Sequence, residues 1–267
     1  MMISMLSISG SPGVSTLALA SAIHAPDDAR CCLVEADPIG SSPTMAGYLK
    51  GARRLEENSV VNLVAPNQRG DLPAAFTAQL VPLAGDGRVG VLPGLVHAGQ
   101  AYTARVLWGP LSDLLAEMSI SGDNVVVDAG RVGHAYYPWP MVTAADVVAV
   151  VVRSERSAVA AARAGLEAVH RTLEGNRSRA PLGVIVVESG PYTGREVAQA
   201  LDLPLLASVP YDTTGASEYS HGATLAGMRR RRSTYITRAP KLWRGYRDFA
   251  GSHRPDWLVA TDDGSIQ

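Results

Sequence analysis

Short apolar, β-branched runs alternate along this chain with longer stretches in which apolar residues recur every three or four positions. That alternation predicts an α/β fold, a mainly parallel sheet with helices on both faces. Strands are expected at 3–9, 31–35, 88–92, 124–128, 147–153, 183–188 and 205–209, and helices at 14–24, 101–118, 157–173 and 194–201. The alanine-rich stretch 157–173 has the apolar spacing that a helix packed on a sheet requires. Between 51 and 85 the pattern is harder to read, and it fits an edge strand at 60–64 and a helix near 72–80. No internal repeat or low-complexity linker interrupts the chain. Past Asp212 the β signals give way to a block of arginines and then scattered aromatics. The expected organisation is a domain over 1–212, a helical extension over 213–259 and a disordered tail over 260–267.

Composition narrows the class. Hydrophobic residues make up 46% and charged residues 18%, enough apolar material for a sizeable core and too little charge for wholesale disorder. No run of about 18 apolar residues exists, so no transmembrane helix is expected. The opening MMISMLSIS is short and lacks the basic flank of a secretory signal; it reads as a buried first strand, and a cytoplasmic location is expected. The only cysteines, Cys31 and Cys32, are adjacent, so on a strand they point to opposite faces and pack rather than pair. With no second pair of suitable ligands, a zinc site is set aside. The formal charge of −1 excludes a uniformly basic protein. Among the basic residues, arginine dominates: there are 22 arginines and two lysines, Lys50 and Lys241.

The first strand runs into SGSPGVSTLALA, and a helix follows. Gly10 and Gly13 permit a tight turn and close backbone approach, so successive N–H groups and a helix N-terminus can cradle phosphates. Read alone, Gly-x-x-Gly-x-Ser-Thr also fits an ordinary turn. In this context the loop resembles that of the ParA/MinD family of deviant Walker P-loop ATPases, lysine-Gly-Gly-x-Gly-lysine-Ser/Thr, and aligns to it without a gap. Gly10 and Gly13 match glycines, Ser15 matches the hydroxyl residue that binds Mg²⁺, and Ser11 replaces the second glycine. The resemblance implies a pocket for ATP and Mg²⁺ formed by Gly10, Ser11, Pro12, Gly13, Val14, Ser15 and Thr16. Both family lysines are missing, with Ser9 and Val14 in their places. No basic residue precedes Arg30, so no small shift of alignment restores the charge. A charge-assisted hydrogen bond contributes about 1.5–3 kcal/mol, and the P-loop lysine also steadies charge in phosphoryl transfer. Val14 supplies neither, so weak or absent hydrolysis is expected. Nucleotide binding would then rest on backbone amides, Mg²⁺ and a cation from elsewhere in the chain. The pilus-localisation proteins TadZ and CpaE show a similar loss, and GVSTLALA resembles their version of the loop.

Further motifs extend the resemblance over residues 1–212. The second strand ends in LVEADPIGSS, where the family has an acidic-x-Asp pair beside Mg²⁺ and the attacking water. Asp37 matches that aspartate, with a catalytic and metal-side role implied, and Glu35 replaces its usual partner; strand-end Asp-Pro also reads as a turn. NVVVDAG resembles a Walker B strand, implying that Asp128 holds Mg²⁺ through water; an N-cap or turn aspartate is the alternative. After it the chain reads Ala-Gly-Arg, where the family often has Pro-Pro or Pro-Gly. Pro210 and Asp212 match the Pro-x-Asp turn that contacts adenine, while Glu188 stands at the position of a base-binding asparagine.

The segment 229–247 holds Arg229, Arg230, Arg231, Arg232, Arg238, Lys241, Arg244 and Arg247 and no acidic residue, which leaves −9 for the rest of the chain. Such a band suits nucleic-acid phosphates or an acidic membrane surface. Leu242, Trp243, Tyr246 and Phe249 share one helical face, which reads either as an interfacial surface or as packing on the domain. The resemblance implies a homodimerising positioning or assembly factor with protein partners in a secretion or Tad-like pilus machine, cytoplasmic or peripheral at the inner membrane face or nucleoid. A DNA-binding partition ATPase and a membrane-associated regulator are the alternatives.

Overall fold

The computed structural model describes residues 1–52, 54–83 and 85–253; the expected tail at 260–267 lies outside the described residues. Eight strands form one sheet: β1 (Met2–Ser7), β2 (Cys31–Glu35), β3 (Val81–Pro82), β4 (Val89–Leu92), β5 (Asn124–Arg131), β6 (Val147–Arg153), β7 (Leu182–Glu188) and β8 (Leu205–Pro210). Their order is β3-β4-β2-β5-β1-β6-β7-β8, with every pairing parallel except the short antiparallel edge of β3 on β4. The central strands are buried on both faces, which is why they read as unbroken valine-rich runs rather than as alternating ones.

Among the described residues, twelve α-helices surround the sheet. They are α1 (Val14–Ile23), α2 (Val64–Arg69), α3 (Leu72–Gln79), α4 (Ala101–Ala104), α5 (Trp108–Ile120), α6 (Trp139–Thr143), α7 (Arg156–Gly175), α8 (Gly194–Leu201), α9 (Thr213–Ser220), α10 (Gly227–Arg232), α11 (Thr234–Arg238) and α12 (Leu242–Ser252). One apolar cluster unites α3, α5, α6, α7 and α8 with one face of the sheet; a second unites α1, α9, α11 and α12 with the other. Cys32 belongs to the first cluster and Cys31 to the second, so the adjacent thiols do face opposite ways. Both are free and buried, and burial pushes the Cys31 thiol up to about 12.

Two expectations fail locally. Residues 60–64 are not an edge strand: Val60–Leu63 is a 3₁₀ turn whose N-cap is Ser59, and it runs into α2. The expected helix 101–118 is broken by a 3₁₀ turn at Arg105–Leu107. It restarts as α5 with Pro110 in its first turn, where a missing N–H costs nothing.

The C-terminal segment is docked on the domain. Leu242, Trp243, Tyr246 and Phe249 are all buried. The Trp243 indole N–H donates to the Ser21 carbonyl at 2.7 Å, and the Tyr246 hydroxyl lies 2.9 Å from Ser21 Oγ. The aromatic face is therefore internal packing against the last turn of α1 rather than an interfacial surface. The eight basic residues of 229–247 all lie on the exposed side.

Candidate functional site

β1 sits between β5 and β6, at the point where the strand order reverses, and the loop after it opens on the C-terminal edge of the sheet. Crevices at such edges are where ligands bind in open parallel sheets. Gly13, at φ 99°, makes the left-handed turn from loop to α1, and no side chain caps that helix, so its first N–H groups face the crevice. A cavity of about 560 Å³ lies there, lined by Gly10 to Thr16, Asp37, Arg131, Arg153 and Pro210 to Asp212.

Asp128 lies beneath this cavity rather than on its wall. Its carboxyl is buried, takes a hydrogen bond from the Ser15 hydroxyl and accepts the Gly130 N–H at 3.0 Å. Burial pushes its pKa up to about 7, the Ser15 bond opposes the rise, and Glu35 and Asp37 add to it. β5 continues three residues past Asp128, which carries Gly130 and Arg131 to the cavity. Gly130 has φ 66°, and a Cβ there would overlap the Asp37 carboxyl, so Asp37 packs directly over the glycine backbone.

Asp37 is both turn and site wall. Its Oδ1 accepts the Ile39 N–H at 2.9 Å, closing the Asp-Pro turn, while its side chain borders the cavity. Burial raises its pKa, against the Ile39 bond and the nearby charges of Arg131 and His134. Glu35 does not join it. The Glu35 carboxylate is buried, accepts from the Ser42 hydroxyl, and takes the backbone N–H groups of Thr44 at 3.0 Å and Gly94 at 3.1 Å. It braces loops, and burial raises its pKa despite those bonds.

At the other wall the expected base-binding residues have internal partners. Asp212 caps α9 through Gly215 N–H at 2.9 Å and accepts the Ser233 hydroxyl at 2.6 Å and the Tyr235 N–H at 3.3 Å. Burial alone would raise its pKa, but those hydrogen bonds outweigh it and hold the carboxyl below its ordinary value. Glu188 is absent from the cavity lining; its carboxylate accepts the Gly194 N–H at 3.3 Å at the start of α8.

Among the lining residues that the sequence motifs did not mark are Arg131, Arg153 and Tyr211. Arg153 carried one readable signal, a cation closing an expected strand. Its Nη2 donates to the Ser11 carbonyl at 3.2 Å, its guanidinium lies 5.8 Å from the centre of the Tyr211 ring, and its Nε is shielded and without a partner among the described residues. The buried Tyr235 hydroxyl, also on the lining, is likewise unpaired among the described residues.

These features fit a nucleotide with Mg²⁺. Ser15, Asp37 and Asp128 offer the oxygen donors that a hard cation prefers, and two orphaned polar atoms border the space. Among the described residues no group of three or more His, Cys, Asp or Glu could hold a metal unaided, so phosphate oxygens and water would complete its shell.

The fold is similar to that of the MinD/ParA-type P-loop NTPases. The cell division ATPase MinD of Pyrococcus furiosus superposes with a TM-score of 0.69 at 17% identity, covering 93% of this chain and 98% of that one. A ParA family ATPase from Chlorobium tepidum gives 0.68 at 15% identity over 93% and 96%. The septum site-determining protein MinD of Pyrococcus horikoshii, solved with Mg-ADP, gives 0.67 at 18% identity over 99% of both chains. Identities this low establish the shared fold. No family model matches the sequence, and no curated protein matches it.

Proposed function

We propose that this protein is a ParA/MinD-like positioning or assembly factor that binds ATP with Mg²⁺ weakly, dimerises and hydrolyses little. The observation that carries this reading is the convergence of the uncapped α1 N-terminus, Ser15 and Asp37 on one cavity, with Asp128 beneath and Val14 in the lysine position. Gly10, Ser11, Pro12, Gly13, Val14 and Thr16 would surround the phosphates; Ser15, Asp37 and Asp128 would hold Mg²⁺, and Pro210 and Asp212 would border the base. The metal, when bound, would neutralise phosphate charge. Asp37 would orient water beside the phosphates. Val14 offers no charge to the transition state, which favours a slow switch over a turnover enzyme. A degenerate loop of this kind supports the reading of a TadZ- or CpaE-like role in a pilus or secretion system.

The test is a titration with ATP and Mg²⁺ that follows melting temperature, dimerisation and phosphate release together. Stabilisation and dimerisation with negligible phosphate release are expected. No stabilisation at millimolar ATP would sink the nucleotide reading. Rapid phosphate release, lost in Asp37→Ala, would refute the weak-hydrolysis reading.

A second reading rests on the exposed basic band. Arg230 pairs with Glu218 at 3.2 Å, while Arg229, Arg231, Arg232, Arg238, Lys241, Arg244 and Arg247 make no ion pair with a described residue. An exposed arginine surface of this density suits the phosphates of duplex DNA. Binding to random duplex that weakens steeply with salt supports it; binding to anionic vesicles and not to DNA would overturn it in favour of a membrane role.

A further inference from the structure

We propose that Arg153 is the cation that faces the phosphates of a bound nucleotide in place of the missing loop lysine. The inference rests on the nucleotide reading above and assigns a residue to it.

Its position follows from topology. β6 pairs directly with β1, from Ile3 opposite Val147 to Leu6 opposite Val150, so the last residue of β6 emerges beside the loop that follows β1. The geometry agrees: one guanidinium nitrogen reaches the Ser11 carbonyl at 3.2 Å, and the side chain lines the cavity with Gly10 to Thr16. Arginine carries five donors in a planar fork, and a bond to one carbonyl leaves most of them for a phosphate group. Nε is shielded from solvent and without a hydrogen-bond partner among the described residues, which leaves a donor of the charged group available on the cavity side. The Tyr211 ring, 5.8 Å away, flanks the guanidinium on another side and limits where it can move.

Other cations are less suited. Arg30, the first basic residue of the chain, is tied to Asp123 at 2.7 Å, with Asp123 just before β5 and so at the far edge of the sheet. Arg131 lines the cavity but is exposed, so solvent screens its charge. Lys50 and Lys241 are absent from the lining.

The test is calorimetric titration of the full chain with Mg²⁺·ATP and, separately, with Mg²⁺·tripolyphosphate, which lacks the nucleoside. Arg153→Gln is expected to weaken both ligands by about 10- to 150-fold, the value of a charge-assisted hydrogen bond. Arg153→Met, which keeps the aliphatic stem, is expected to do the same, and thermal melting checks that each variant is folded. Arg153→Lys is expected to recover part of the affinity, since it restores charge without the fork. Val14→Lys in the Arg153→Gln background is expected to recover binding from the family's own position. If folded Arg153→Gln and Arg153→Met bind within twofold of wild type, the assignment falls while the nucleotide reading stands. An equal loss in Arg131→Gln would reduce the effect to diffuse charge and also overturn it. A wild-type protein that binds neither ligand at millimolar concentration would overturn the nucleotide reading itself.

Discussion

Replacing Trp243 by alanine tests whether the C-terminal segment is part of the core or an appendage. Trp243 is 3% exposed, packs edge-on against Tyr246 at 5.7 Å between ring centroids and donates to the Ser21 carbonyl at 2.7 Å. Removing a buried tryptophan side chain costs about 3–5 kcal/mol. For a domain of this size that lowers the melting temperature by something on the order of 10 °C. Trp243→Phe keeps most of the buried area but strands the Ser21 carbonyl, which isolates a hydrogen-bond contribution of about 1 kcal/mol. Urea unfolding of wild type and both variants gives the energies, and hydrogen exchange of the α12 amides shows whether they open with the global transition. A loss below about 1 kcal/mol in Trp243→Ala, with α12 exchanging freely in wild type, would refute the docking. The aromatic face would then be free for a membrane.

Other consequences can be read from the same contacts. Asp212→Ala removes a helix cap and the bonds from Ser233 and Tyr235, and is expected to cost about 2–3 kcal/mol in urea unfolding; unchanged stability would show the carboxylate is not a strut. Gly130→Ala forces a left-handed alanine against Asp37 and is expected to destabilise by at least about 1–2 kcal/mol, a loss that Asp37→Ala partly relieves in a double-mutant cycle; strict additivity would contradict the close packing. His24, 2.7 Å from the Tyr219 hydroxyl, has its pKa lowered by burial first and by Arg230 second, with Glu218 opposing. The unfolded chain therefore binds the proton more readily, and the His24 contribution is complete above about pH 6.5 and lost as pH falls toward the depressed folded value. His24→Gln should flatten that part of the stability profile between pH 7.5 and 5.5, and an identical slope would show that His24 is not its source.

The centre of the sheet was legible because its strands are buried on both sides, so an unbroken apolar run had one sensible meaning; β2 and β6 begin and end where the pattern placed them. Residues 60–64 misled because VVNLV has β-branched content. The Ser59 hydroxyl accepting the Val61 N–H at 3.4 Å and Pro66 in the first turn of α2 decide the local structure instead. At the site, sequence showed residue types and order but not side-chain direction. Glu35 and Asp37 are two apart on a strand end, yet one braces loops beneath while the other borders the cavity. Asp212 was legible as part of a turn, but its partners Ser233 and Tyr235 lie more than twenty residues later, beyond the reach of any local pattern. Arg153 stayed hidden for the same reason, since its importance comes from the pairing of β6 with β1.

These long-range partners give the C-terminal segment a mechanical connection to the cavity. α1 begins at the loop that would face phosphate and carries Ser21 in its last turn, where Trp243 and Tyr246 hold it. A second tie runs from the cavity wall at Asp212 to Ser233 and Tyr235, immediately after the four arginines of α10. A packed helix transmits displacement along its axis because neither end can relax independently. Under the nucleotide reading, a ligand that shifted the N-terminal turn of α1 would draw on the Ser21 contacts that hold α12 beside the basic band. Coupling of this kind would be reciprocal: a polyanion that bound the arginines and drew on either tie would change nucleotide affinity by the same factor by which nucleotide changed the polyanion's.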